Sequence, residues 1–306
     1  MKAYWAIVVI AAGALVAFDA PSWLALLAGL VMALAWRRDP PKQIKKFTTW
    51  TLQLGIVALG AGMHLDVVLR TGRDGALITA TSLSLAIVLG LALGKLLKVT
   101  GDTPLMISVG TAICGGSAIA AVASVIKPKA QEMSVALGVV FVLNAVGLLI
   151  FPPIGHALGL SQTVFGRWAA LAIHDTSSVV GAGREYGAVA LSVATTTKLA
   201  RALWIVPVTI ATAVMRQREG LRDVKWPWFI LGFVAVAALV TWVPATAAYA
   251  PHVAKIGTRS LVVALFLIGL SLSRKNIQQV GPRPLVMGVI LWVVIACASL
   301  LLATLP

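Results

Sequence analysis

Residues 103–126 read TPLMISVGTAICGGSAIAAVASVI. The run is apolar enough for lipid, but its centre, Gly110-Thr111-Ala112-Ile113-Cys114-Gly115-Gly116-Ser117, is not built like a plain helix. A Gly-Gly pair beside Ser lets the backbone leave the helix and exposes N–H groups that hydrocarbon cannot satisfy. Such backbone persists at membrane depth only where protein buries it or water reaches it. If a helix resumes at Ser117, its N-terminus presents free amides and about half a positive charge, which suits an anion. The plainer reading is close helix packing by small residues.

A second interrupted segment, 164–187, aligns with the first without gaps. AICGGSAIAAVA from Ala112 lies over AIHDTSSVVGAG from Ala172, pairing Cys114 with His174 and Ser117 with Ser177. Another pair supports an internal repeat: ALGAGMHLDVVLRTG from Ala58 lies over LIGLSLSRKNIQQVG from Leu267, matching Gly60 to Gly269 and Gly72 to Gly281.

Working outward, apolar runs bounded by turn and charge signals give nine further spans: 4–18, 22–36, 48–69, 75–97, 131–151, 188–215, 226–247, 257–273 and 284–304. Of 306 residues, 59% are hydrophobic and 11% charged, against roughly 25% charged in soluble domains. The expected fold is therefore an all-α polytopic membrane protein of about nine transmembrane helices plus two re-entrant or broken helices, arranged as inverted structural repeats. Inverted copies must be antiparallel, which favours two re-entrant hairpins opening to opposite sides; broken helices crossing at the midplane are the competing geometry. The N-terminus has the charged start and apolar body of a signal peptide, but Phe18 occupies the small-residue position before a cut at Ala20, so it reads as a retained helix.

A formal charge of +15 would point to nucleic acid on a soluble face, but here the basic residues lie mostly in short loops. Arg37, Arg38, Lys42, Lys45 and Lys46 crowd one connection, and Arg216, Arg218, Arg222 and Lys225 another. These are orientation signals, which place both loops and the N-terminus in the cytoplasm and the chain in the cell inner membrane. The only cysteines, Cys114 and Cys297, sit in apolar segments, so no disulfide framework, metal centre or cofactor is expected.

Ionisable groups deep in a membrane are costly and usually functional. In His174-Asp175-Thr176-Ser177-Ser178, Asp175 can cap the following helix, hold a proton or ligate a cation, and Ser177 and Ser178 offer hydroxyls. His174 is either a proton carrier or a hydrogen-bonded structural residue. Lys198 and Arg201 share one helix face and need an anionic partner; Asp175 could neutralise one, leaving the other for cargo, or both could snorkel to the interface. Asn144, inside span 131–151, also wants a partner, whereas Glu132 simply suits the start of its helix. His64, Asp66, His156 and His252 read as structural.

The blocks GTAICGGSAIAAVASVIKPKAQEMSVALGVVFVLNAVGLLIFPPIG and GRWAALAIHDTSSVVGAGREYGAVALSVATTTKLARALWIVP resemble the YeiH-type family of sulfate exporters, over about Gly55 to Ser273. That family is grouped with the bile-acid and cation/proton-antiporter transporters. The resemblance implies an elevator-like secondary transporter, often a homodimer, that carries an oxyanion such as sulfate or sulfite. It implies a transport core, taken here as 48–126, 131–215 and 257–304, and a scaffold, 1–47 and 226–247. The matching motif positions are Cys114, Gly115, Gly116 and Ser117, then His174, Asp175, Thr176, Ser177 and Ser178, then Lys198 and Arg201.

The expected site therefore binds a small inorganic or organic anion through Thr111, Cys114, Gly115, Gly116, Ser117, Asn144, Thr176, Ser177, Ser178, Lys198 and Arg201. Asp175 and His174 take the coupling ion, H+ or Na+. A cation/proton antiporter using Asp175 is the alternative within transport. An intramembrane hydrolase built on Ser177, His174 and Asp175 is the alternative outside it, although residues so close in sequence rarely reach that geometry.

Overall fold

The computed structural model describes residues 2–36, 41–66, 68–69, 76–216, 228–271 and 281–304. The orientation residues Arg37, Arg38, Arg218, Arg222 and Lys225, and Gly72 of the second proposed repeat, lie outside them. Every regular element among the described residues is helical: α1 (Lys2–Ala17), α2 (Ser22–Trp36), α3 (Lys42–Leu59), α4 (Ala76–Leu96), α5 (Thr103–Ala112), α6 (Gly116–Ile126), α7 (Ala130–Ala157), α8 (Gln162–Ala172), α9 (Thr176–Tyr186), α10 (Ala188–Ala202), α11 (Ile205–Met215), α12 (Trp228–Trp242), α13 (Ala250–Ser271) and α14 (Pro282–Ala303).

Five stretches are long and apolar enough to cross a membrane: Leu77–Leu96, Gln131–Ala157, Ala188–Met215, Ala250–Ser271 and Pro282–Ala303. Shorter apolar helices cover Tyr4–Ala17, Trp23–Ala35 and Trp228–Trp242. The span expected at 48–69 instead runs as α3 to Leu59 and tightens into a 3-10 turn over Gly60–Gly62, where Gly60 packs directly on the Phe233 carbonyl. The span expected at 131–151 continues to Ala157, because Pro152 and Pro153 are accommodated inside the helix.

Residues fall into two compact units. The first comprises the described residues of 1–69 and 228–274, the second those of 70–227 and 275–306. This packing joins α3 and α13 to α1, α2 and α12, whereas the sequence-based partition drew most of α3 and α13 into the core. The cause is close backbone approach: Gly55 of α3 faces Gly257 of α13, and Gly29 of α2 faces Gly269, and a side chain at Gly29, Gly257 or Gly269 would run into the facing backbone.

In the second unit, α7 is the reference rod, 28 residues long and hence about 42 Å at 1.5 Å per residue. Gly101, just before α5, meets Glu132 at the start of α7, and Gly110 meets Val140 further along, so α5 runs parallel to α7. α6 then returns past Phe141 and Leu137, and connects through residues 127–129 to the start of α7. These two helices form a hairpin whose mouth lies at that end.

The second interruption does the same at the other end. Gly155 of α7 packs on Phe165 and Tyr186, whose rings stack at 3.7 Å. Tyr186 donates its hydroxyl to the Leu160 carbonyl at 2.6 Å, and Gln162 accepts from the Val189 and Ala190 amides. The start of α8 and the end of α9 therefore lie together. Hairpin α5–α6 opens at one end of α7 and hairpin α8–α9 at the other. Each arm, 10 or 11 residues, spans about 15–17 Å, half a bilayer core of about 30 Å.

Candidate functional site

The two hairpin tips touch near the middle of α7. Gly115 takes φ +68°, ψ −127°, a conformation essentially reserved for glycine, and lies against the backbone of His174 and Asp175. Thr111 Oγ1 and His174 Nε2 share a hydrogen bond at 3.0 Å across the tips. Asn144 joins α7 to the second tip: its Oδ1 accepts the Asp175 amide at 2.9 Å, and its Nδ2 donates to Ser178 Oγ at 2.6 Å. All these side chains are buried.

Asp175 is the N-cap of α9. Its Oδ2 accepts the Ser177 amide at 3.0 Å and also the Ser177 hydroxyl, the local pattern that makes Asp a preferred cap. α6 differs. Its N-cap is Gly115, no side chain caps it, Gly116 is half-buried and Ser117 is exposed. Of the two helix N-termini at the tips, that of α6 has no side-chain cap at its N-cap residue, and of its first amides that of Ala118 faces the Cys114 sulfur.

Lys198 and Arg201 are each 0% exposed, the reverse of snorkelling. No ion pair joins either to Asp175; backbone carbonyls supply their partners. Lys198 Nζ donates to Ala170 O at 3.2 Å and Ile173 O at 2.8 Å. Arg201 donates through Nη1 to Ala170 O and Leu171 O, through Nε to Ala112 O and through Nη2 to Thr111 O. Trp292 Nε1 donates to Ala172 O at 3.0 Å. A helix end leaves four carbonyls without intrahelical partners, and here all four from Ala170 to Ile173 find side-chain donors. The two cations sit at the negative ends of α5 and α8, where the helix dipole favours them, and Arg201 holds both hairpins at once.

The structure thus brings together Thr111, Gly115, Asn144, His174, Asp175, Ser177, Ser178, Lys198 and Arg201. Cys114 and Thr176 are buried beside them. Gly116 and Ser117 stand at the edge of the cluster, Gly116 against Phe141. Sequence reasoning missed Trp292. The signal was available, since an indole N–H in mid-helix needs an acceptor and tryptophan otherwise collects at membrane interfaces. It also could not identify the carbonyls of residues 170–173, because backbone acceptors look alike in any sequence. Glu132 accepts the Lys129 amide at 3.1 Å, completing a capping box, and His156 stacks on Tyr186 at 4.2 Å.

The family described as conserved hypothetical protein 698 matches residues 4–288. A UPF0324 membrane protein of Bdellovibrio bacteriovorus is 50% identical over 281 residues, covering 90% of this chain and 86% of the relative. The chain belongs to the UPF0324 membrane protein family. A UPF0324 membrane protein of Geobacter sulfurreducens is 44% identical, with 95% of each chain covered, and one of Bacteroides thetaiotaomicron is 46% identical over 90% of this chain and 84% of the relative. No solved structure matches this UPF0324 chain. The family match takes in both hairpins, α7 and α10, so the site residues from Thr111 to Arg201 lie within it, while Trp292 lies just beyond its end.

Proposed function

We propose that this UPF0324 chain is a secondary active transporter of a small anion, with sulfate or sulfite as the first cargoes to test. The observation that carries this reading is the charge balance at the hairpin tips. Two helix N-termini and two helix C-termini roughly cancel, at about half a charge each. Lys198 and Arg201 as cations then outnumber the one carboxylate, Asp175. An excess positive charge in a buried, hydrogen-bonding site is costly unless an anion joins it. The uncapped N-terminus of α6 with the Ser117 hydroxyl is where an oxyanion finds free donors.

Helix ends meeting in opposed hairpins, at the middle of a long helix, are the arrangement in which inverted-repeat carriers hold cargo near the bilayer midplane. The resemblance to YeiH-type sulfate exporters points the same way and adds an elevator-type cycle in a homodimer. The mouth of α5–α6 is flanked by Lys95, Lys98, Lys127, Lys129 and Arg216, whereas the other mouth, 156–163 and 184–188, carries one basic residue, Arg184. The positive-inside rule then favours a cytoplasmic first mouth in an inner membrane, and the basic connection with Lys42, Lys45 and Lys46 separately favours a cytoplasmic N-terminus. Ser177 spends its hydroxyl on Asp175, and His174 bonds Thr111; this favours transport over a serine hydrolase.

The test is flux of radiolabelled sulfate and sulfite in proteoliposomes. Wild type is expected to carry at least one of them, and Lys198→Ala and Arg201→Ala, in protein that still folds, are expected to lose that flux. Wild-type rates in both variants would overturn the assignment, as would cation flux driven by a sodium or pH gradient with no oxyanion present.

A further inference from the structure

Half-helix C-termini with converging carbonyls are places where carriers coordinate a metal cation, and hard cations seek such oxygens. In this chain those oxygens are spoken for. Ala170 O and Ile173 O hold the Lys198 ammonium, at 3.2 and 2.8 Å. The carbonyls of Thr111, Ala112 and Leu171 hold the Arg201 guanidinium, which also reaches Ala170 O, and Ala172 O holds the Trp292 indole. Both cations are fully buried and arrive on α10, a single helix that packs along α8 and α9.

The geometry points to Lys198 and Arg201 as built-in counterions, which occupy the carbonyl-lined cation positions of both hairpins so that the chain binds its anion without an alkali metal ion. A sodium ion at either position would have to take oxygens from an N–H donor and sit beside the Arg201 guanidinium. Lysine suits the smaller position as a compact point charge, and arginine suits the wider one because its planar fork reaches four carbonyls on two hairpins. This inference deepens the anion-transport reading and rests on it for the identity of the cargo. The carbonyl positions themselves are independent of the cargo.

The experiment has two arms, both on the purified full chain. In the first, sulfate binding and the thermal midpoint of wild type are measured in sodium gluconate and in N-methylglucamine gluconate of equal ionic strength. The apparent sulfate affinity is expected to agree within about twofold, and the midpoint without sulfate not to respond to sodium; coupled binding typically changes affinity about 5–150-fold. A sodium-dependent affinity, or a saturable sodium-specific rise in the wild-type midpoint, would overturn the inference. Absence of sulfate and sulfite binding in both salts would count against the anion reading alone, because the sodium response of the midpoint is still read.

In the second arm, Lys198→Ala frees the Ile173 carbonyl and leaves Ala170 O to Arg201 Nη1 alone, at 3.4 Å. Its midpoint is expected to rise with sodium or methylammonium where that of wild type does not. A variant as indifferent to both cations as wild type would overturn the assignment of these carbonyls as a cation position. Should the variant not fold, the wild-type arm decides.

Discussion

At the residue scale, the site turns on one backbone conformation. Gly115 holds φ +68°, ψ −127°, and a Cβ there would meet the Asp175 and His174 backbone and Val140 only at 3.5 Å, an ordinary contact. Any penalty for Gly115→Ala is therefore conformational, and a non-glycine residue in such a region costs about 1–3 kcal/mol. We expect Gly115→Ala to lower the unfolding free energy by that amount. Gly13→Ala is the control: Gly13 lies within α1 with nothing within 4 Å of an added Cβ, so alanine there should be neutral or stabilise by about 0.5–1 kcal/mol. Thermal unfolding of both variants checks the pair, and equal losses would contradict the strain argument. The Gly-Gly-Ser signal in the sequence was legible for the same reason: glycine in an apolar run marks a place where the chain needs freedom. The partners of Lys198 and Arg201 were not legible. A fixed cation announces that an acceptor exists, but the acceptors are carbonyls, which no residue letter encodes.

At the element scale, interruptions could be recognised in the sequence, and the inverted repeat favoured hairpins over crossing helices without deciding between them. The contacts that choose are long-range: Glu132 on Gly101, Tyr186 on Leu160, and Gln162 on Val189. They tie each hairpin's two ends together. The prediction is topological. Cysteines at Thr100 and Lys129, exposed on either side of hairpin α5–α6, should label with an impermeant thiol reagent from the same face of the membrane. Leu158→Cys and Ala188→Cys, flanking α8–α9 and also exposed, should label from the opposite face. In a Cys114→Ala, Cys297→Ala background, labelling of the first pair from two different faces would contradict the hairpin. Helix ends were less readable than helices. α3 stops at Leu59 because Gly60 needs contact with Phe233, and α7 continues through Pro152 and Pro153 because helix packing outweighs a local breaker.

At the scale of the whole molecule, composition alone announced a polytopic helical membrane protein, and the helices of the described residues and the UPF0324 membrane protein family agree. How helices group into units was harder to read, since it depends on which glycines face which backbones. All the candidate site residues fall in one unit, carried by α5 to α10, so the proposed cargo site belongs to that unit. The central claim is that an oxyanion binds where the hairpin tips meet. The most direct measurement is a structure of the purified chain with selenate, a heavier analogue of sulfate. The account predicts selenate at the N-terminus of α6, within hydrogen-bonding distance of the amides of Gly116 and Ser117 or the Ser117 hydroxyl, close to the Lys198–Arg201 cluster. Selenate bound only away from both hairpin tips, in protein that transports sulfate, would contradict it.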